Sequence, residues 1–525
     1  MRTFIMSLSL VLVAGGCTQP EQTSSSQVKS PVENAWYSSG EEQLELALLK
    51  QTNTQPGSAK NIVLMIGDGM SLATVTAARI YAGQLQGKAG EEHQLSFETF
   101  PWTGLAKTYN TNQQTPDSAG TMTAMVSGIK TKAGLIGIDE RAVRGVCAST
   151  KGAEVATLIE VAEQMGKATG VLTNTRITHA TPAATFAKTP EREWESDHKM
   201  PAEALAAGCK DIALQLIEFG FGDGIDVVMG GGRRHFLPAL EVGVEGKKGK
   251  RKDGRNLIQE WQQRYPDGQL VQNKTEFSTL QSDSNQPVLG LFNSSHMRYA
   301  PDRENDKQGE PNLAEMTRFA IRKLQQEQNG FFLVIEGGRI DHAHHAGNAK
   351  VALMETLEFA EAVAMVDQLT SDEDTLIIVT ADHSHTLVAG GYTTRGNPIL
   401  GKVITNDDQG NAKDELATDL DGNPYTTLSY LNGPGYAEMG EKSTNPDRRY
   451  REPAVSGRQP LSDANTEDIG YHQEALVPLE DETHSLEDVP VYAKGPGAHL
   501  LSGTCLLYTS PSPRDATLSR MPSSA

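Results

Sequence analysis

The chain has 525 residues and a mass of 56.7 kDa, with 47 basic and 67 acidic side chains and a formal net charge of −20. That length buries a large core and suits two to four domains, or one large α/β domain carrying insertions. The charge disfavours nucleic acid or an anionic membrane as a general partner, and any anionic substrate would need a locally positive site.

In chain order, the first feature is an export leader. Residues 1–17 read MRTFIMSLSLVLVAGGC: Arg2, then an apolar run too short to span a bilayer, then small residues. The run Val13-Ala14-Gly15-Gly16-Cys17 resembles a bacterial lipobox, which would place a lipid on Cys17. An ordinary cleaved signal with an incidental cysteine is the alternative, and both predict an exported protein, periplasmic or anchored to the outer membrane. Residues 18–57 read as a polar tether and N-terminal arm.

Short apolar runs then alternate with helical patterns. NIVLMIG (61–67) predicts a strand, and the stretch from Ser71 to about Tyr81 a helix capped by Ser71. Further strands are expected at 168–174, 225–231, 331–337 and 375–381, and helices near 152–165, 201–219, 312–328 and 348–369. Uniformly apolar strands alternating with helices predict an α/β fold, a large mostly parallel sheet with helices on both faces. Residues 386–470, rich in Gly, Asn, Asp, Thr and Pro, break that rhythm and read as an inserted irregular or β subdomain. After GPGAHLLSGT, residues 504–525 resemble translated sequencing-adapter read-through, a genuine disordered tail being the alternative.

Three strand ends carry unusual polar cargo. NIVLMIGDGM ends in Asp68, FFLVIEGGRIDHAHH delivers Glu336, Asp341 and His345, and TLIIVTADHSH delivers Asp382 and His383. Ligands in open α/β sheets sit beyond the carboxyl ends of the strands. Carboxylates mixed with imidazoles suit Zn²⁺, and oxygen-only sets suit Mg²⁺. Crowded carboxylates would repel one another unless cations neutralise them, so these ends predict a metal nest rather than a solvated acidic loop. In TPDSAGTMTAMVSG (115–128), Ser118 stands at a helix start. Alone it would be a cap; beside metal it is a nucleophile candidate, because a cation lowers a hydroxyl pKa.

These motifs, with THATPAATFA, EREWESD and THSLEDVPVYAKGP, resemble the alkaline phosphatase family in its animal and marine-bacterial branch, over about residues 58–503. The resemblance implies a catalytic domain at 58–503 with a crown-like insert at about 386–470, and two Zn²⁺ and one Mg²⁺ per chain. Asp341, His345 and His484 would hold one zinc. Asp68, Asp382 and His383 would hold the second, beside Ser118. Asp68, Thr181 and Glu336 would hold magnesium, with His179 in its outer shell. Arg192 would grip two phosphoryl oxygens. The activity implied is hydrolysis of phosphate monoesters through a covalent phosphoserine at alkaline pH, by an exported homodimer that recognises no nucleic acid and meets a membrane only through a lipid on Cys17. A phosphodiesterase of the same superfamily and a catalytically impaired phosphate-binding lipoprotein are the alternatives.

The resemblance also favours a Cys147–Cys209 disulfide, which the residues alone leave open against two buried thiols. It implies a lost calcium site, since the family's LFE run is Leu291-Phe292-Asn293 here. His342, His344 and His385 are expected in supporting contacts or packing, and His235, His296 and His499 on the surface or in structural roles.

Overall fold

The structure is a computed structural model describing residues 37–38, 58–436 and 453–506. The expected leader with its candidate lipidation site Cys17, nearly all of the expected 18–57 tether and residues 507–525 lie outside the described residues.

The strands are, in order, β1 (Asn61–Ile66), β2 (Trp102–Lys107), β3 (Ala168–Arg176), β4 (Val227–Gly231), β5 (Gln269–Val271), β6 (Val288–Leu291), β7 (Phe331–Glu336) and β8 (Thr375–Thr380). There follow β9 (Ser384–His385), β10 (Leu387–Ala389), β11 (Leu428–Gly433), β12 (Ala475–Pro478), β13 (His484–Ser485), β14 (Val489–Lys494) and β15 (Gly503–Leu506). Ten of them form one sheet, ordered β15-β2-β14-β8-β1-β7-β3-β4-β6-β5. From β8 to β5 every pairing is parallel, whereas β14 runs antiparallel to both β8 and β2. All six residues of β7 and of β8 are buried, as a sheet covered on both faces requires. Each large apolar side chain so buried contributes about 1.5–3 kcal/mol. Among the described residues, no helix is long and apolar enough to cross a membrane.

Helices flank the sheet where their caps allow. Leu72–Leu85 starts after Ser71, whose hydroxyl accepts from the Thr74 amide at 3.0 Å, and Ala349–Leu369 starts after Asn348, which accepts from Val351 at 3.0 Å. The expected helix near 152–165 begins only at Leu158, because Thr157 and Glu160 form a capping box there. The expected helix over 201–219 is two, Ala202–Ala206 and Ile212–Ile217, broken where Gly208 takes a φ of +82° and Asp211 caps the second piece. Residues 386–470 contribute β10 and β11, which form a separate three-stranded sheet with β12. Thr504–Leu506, read from sequence as the start of the tail, instead pair with β2 inside β15.

The register of the central strands prepares the site. Ile66, the last residue of β1, lies opposite Glu336 on one side and Thr380 on the other. Three neighbouring strands therefore end level, and Asp68 and Asp382 each follow two residues later.

Cys147 and Cys209 are bonded, closing a loop with a sequence separation of 62. Loop-closure entropy makes such a bond worth about 4 kcal/mol. Cys147→Ser/Cys209→Ser, or reduction with dithiothreitol, is expected to lower the melting temperature by several degrees; an unchanged transition contradicts this contribution.

Candidate metal centre and nucleophile

Asp117 caps the helix Ser118–Ser127 by accepting from the Gly120 amide at 3.1 Å, which sets Ser118 at the first helical position. Ser118 is buried, and its Oγ lies 3.0 Å from His383 Nε2. That nitrogen is also 3.3 Å from Asp68 Oδ1, 3.3 Å from Asp382 Oδ2 and 4.0 Å from Asp341 Oδ1. One imidazole lone pair thus faces three carboxylates and the serine hydroxyl. Burial, then the neighbouring His484, hold His383 well below the ordinary histidine range, so it is neutral and able to bind a cation.

A second convergence centres on Asp341 Oδ1, with His345 Nε2 at 3.2 Å and His484 Nε2 at 3.3 Å. The far side of each ring fixes its tautomer. His345 Nδ1 lies 2.5 Å from the Glu482 carbonyl and His484 Nδ1 2.8 Å from the Pro116 carbonyl. Carbonyls only accept, so both Nδ1 atoms carry hydrogen and both Nε2 atoms are the ones turned inward to meet a cation, as in metal-binding histidines; without one, Asp341 raises His345 above the ordinary range although burial opposes its charge. His385 also reaches Asp341 Oδ1, at 2.9 Å, but its other nitrogen meets Glu482 Oε2 at 2.6 Å. Burial opposes its charge, yet Glu482 and Asp341 push it up to about 10. Flanked by carboxylates, His385 is an imidazolium clamp with no lone pair to offer.

The third group joins Asp68, His179 and Glu336, whose ligand atoms lie within 4.8 Å of one another. The Thr181 hydroxyl donates to Asp68 Oδ2 at 3.3 Å. Glu336 Oε2 accepts from Thr173 and, at 3.0 Å, from Thr175. Burial, then Arg192 and Arg176, push His179 down to about 3. It is neutral and sits beside this position, where the outer-shell place expected from sequence would put it.

The donor set fits cations. Buried Asp68 Oδ1, Asp382 Oδ2 and Glu336 Oε1 make no hydrogen bond, an arrangement that costs free energy for buried polar atoms. Burial first, then mutual repulsion, raise Asp68, and burial raises Asp382 and pushes Glu336 up to about 7. Divalent ions would reverse both penalties.

Arg192 brings a positive charge to the same site. Its Nη1 donates to Asp117 Oδ2 at 3.3 Å and its Nη2 lies 3.4 Å from His179 Nε2. Asp117 thus ties helix cap, Gly134 amide (2.8 Å) and guanidinium together, a role its sequence position does not announce. Ser118 and Arg192 face one cavity of about 360 Å³, which Arg176, Arg339, His296 and His342 also line. The Arg176 and Arg339 side chains reach it from the end of β3 and from the first turn of the helix Arg339–His345.

His296, expected on the surface or in a structural role, is buried and packs 4.2 Å from the His342 ring on the cavity wall. His344 is structural, bonded to Thr74 (3.0 Å) and Tyr430 (2.8 Å), and His235 lies buried 3.1 Å from the Ser196 hydroxyl. His499 packs on Trp102. At Asn293 the amide donates to Glu310 at 2.6 Å, and the buried guanidinium of Arg233 donates to the Leu291 carbonyl at 2.7 Å.

A family model described as alkaline phosphatase matches residues 59–506. The tissue-nonspecific alkaline phosphatase of Gallus gallus is 42% identical over 511 residues, covering 96% of this chain and 91% of that protein. The alkaline phosphatase of Gadus morhua is 43% identical over 482 residues, covering 90% and 94%. Among solved structures, the alkaline phosphatase of the Antarctic bacterium TAB5 has a TM-score of 0.57 at 21% identity, covering 88% of this chain and 99% of that one. The Thermus thermophilus enzyme has a TM-score of 0.57 at 24% identity, covering 88% and 96%. The structural likenesses show a shared fold. A variant of the TAB5 enzyme carries Mg in its M3 site.

The raised carboxyls contribute to how the metal-free protein responds to pH, with a sign opposite to that of the depressed His179 and His383. A carboxyl whose folded pKa is raised stabilises the fold while protonated, and that contribution disappears as pH rises through its folded value. Relative to Glu336→Gln, which isolates this group, the chelated parent is therefore expected to lose melting temperature as pH rises from about 4.5 to about 7. Excess zinc and magnesium should remove that difference in slope. A parent and variant that respond identically to pH contradict the crowding.

Proposed function

The chain belongs to the alkaline phosphatase family and is a metal-dependent phosphomonoesterase, and on that premise we propose that Ser118 is its nucleophile and Arg192 its phosphate-binding residue. The observation that carries this reading is the convergence of Ser118 Oγ, His383 Nε2 and the Arg192 guanidinium on one cavity. Asp341, His345 and His484 would hold one zinc, Asp68, Asp382 and His383 a second, and Asp68, Thr181 and Glu336, with His179, a magnesium. When bound, such ions lower the pKa of a neighbouring hydroxyl and offset charge on the attacking and leaving oxygens.

Ser118 gives up its proton and its Oγ attacks phosphorus in line. The Oγ–P bond forms as the ester P–O bond breaks, and the alcohol leaves with a proton. Water then cleaves the phosphoserine, restoring the Ser118 hydroxyl and releasing inorganic phosphate. Throughout, Arg192 presents two N–H groups to the non-bridging oxygens, whose charge phosphoryl transfer spreads and the site must hold. Asp117 keeps the guanidinium aimed at that position. These fixed cations let a chain of net charge −20 take an anionic substrate. The sequence supports export with a lipid on Cys17, and the family resemblance supports a homodimer.

Turnover of an aryl phosphate monoester and its matching diester tests the reading. The parent protein should strongly prefer the monoester. Ser118→Ala should lose at least about a thousandfold in kcat while binding zinc as before; near-normal turnover refutes the nucleophile. Arg192→Ala should weaken product inhibition by phosphate about tenfold to a hundredfold, and unchanged inhibition contradicts its role.

A further inference from the structure

Between β4 and the helix Leu257–Arg264 the chain makes an excursion, residues 232–256, that the chemistry above does not use. It leaves β4 at the sheet edge that carries the metal nest. Its backbone is paired: Val242 bridges Lys248, Pro238 bridges Arg251, the Gly243 amide donates to Lys247 O at 2.8 Å, and the Gly249 amide donates to Glu241 O at 2.9 Å. The turn passes through Gly246 at a φ of +74°. A Cβ on Gly249 would lie 2.2 Å from the Leu237 carbonyl oxygen. Two glycines therefore hold the excursion in one shape.

Side chains of extended, paired segments alternate between faces, and here the alternation sorts them by chemistry. On one face, partly buried Glu245 pairs with buried Arg233 and buried Arg251 pairs with Asp211 at 3.0 Å, while Glu241 stays exposed and accepts from Asn256 Nδ2 at 2.8 and 2.9 Å. Even positions turn outward: Leu240 is 91% exposed, Val242 54% and Val244 43%. Lys248, Lys250 and Lys252 are exposed as well, and none of them makes an ion pair among the described residues; Lys252 reaches only the His198 carbonyl, at 2.9 Å. Lys247 is exposed at the turn.

The segment thus pairs Glu245 with buried Arg233, holds exposed Glu241 on Asn256, and presents aliphatic and cationic side chains on one outer face. We propose that this face, residues 240–252, docks on an anionic phospholipid surface. The aliphatic side chains would enter the boundary between headgroups and acyl chains, and the ammonium groups would meet lipid phosphates. A soluble polyanion would use the lysines but leave three exposed aliphatic residues without purpose. A second copy of the same face would bring lysines against lysines. The total of −20 does not prevent contact, because screening over about 8 Å near physiological salt leaves the local charge in control.

The test uses the full chain carrying Cys17→Ser, so that no acyl group contributes, floated with vesicles of phosphatidylcholine alone or mixed with phosphatidylglycerol. The protein should float with the anionic vesicles, and high salt should release it. Lys248→Glu/Lys250→Glu/Lys252→Glu and Leu240→Ser/Val242→Ser should each bind at least about tenfold more weakly. Both variants should turn over a soluble aryl phosphate at the parent rate, which shows them folded. Failure of the parent to float, or variants that float like the parent, overturns the proposal. Binding that depends on the lysines and not on Leu240 and Val242, matched by binding to soluble polyphosphate, reassigns the face to a polyanion and overturns it equally.

Discussion

The site depends on one constraint, the common ending of β1, β7 and β8. Because Ile66 lies level with Glu336 and Thr380, the chain brings the carboxylates of Asp68, Glu336 and Asp382 together in a buried place. No side-chain adjustment can separate them without shifting the register of strands whose every residue is packed. A one-residue slip would turn the whole set of side chains to the opposite face. The sheet thus enforces a concentration of negative charge that the protein alone cannot satisfy, and cations are the physical solution.

The surroundings refine that crude demand into distinct positions. Backbone carbonyls of Glu482 and Pro116 decide which nitrogen of His345 and of His484 faces inward. Glu482 contributes twice, since its carboxylate also keeps His385 charged against Asp341. His385 therefore competes for Asp341 as a donor while His345 and His484 turn Nε2 inward to meet a cation. Three imidazoles near one carboxylate have different roles, set by what lies behind each ring. Asp117 plays the corresponding part on the other wall of the cavity by tying the Ser118 helix to Arg192.

Much of this was legible in the sequence, for identifiable reasons. Strands buried on both faces read as unbroken apolar runs, so β1, β3, β4, β7 and β8 stood out, and the acids following three of them marked the site. The strands β2, β14 and β15 escaped notice because WTGLAK, VPVYAK and GTCL are half polar or contain Gly and Pro. Helix boundaries near 157 and 208 were set by a capping box and by a left-handed glycine rather than by periodicity. Family motifs supplied the long-range partner His484, which no local pattern assigns to Asp341. What remained hidden acts at a distance: Asp117 on Arg192, Glu482 on His385, and Arg176, Arg339 and His296 on the cavity wall. The outward face of residues 240–252 was hidden for a different reason. Its character becomes meaningful only once the inward partners Arg233 and Asp211 are known.

The central claim is that strand register creates separate cation positions whose ligands are chosen by ring tautomer. Anomalous diffraction at the zinc edge, from crystals grown with zinc and magnesium, tests it most directly. The account predicts one zinc peak held by Asp341, His345 and His484 and a second held by Asp382, His383 and Asp68 beside Ser118, with His385 bound to neither. A zinc ion ligated by His385, or no zinc among these residues in folded, active protein, would contradict it.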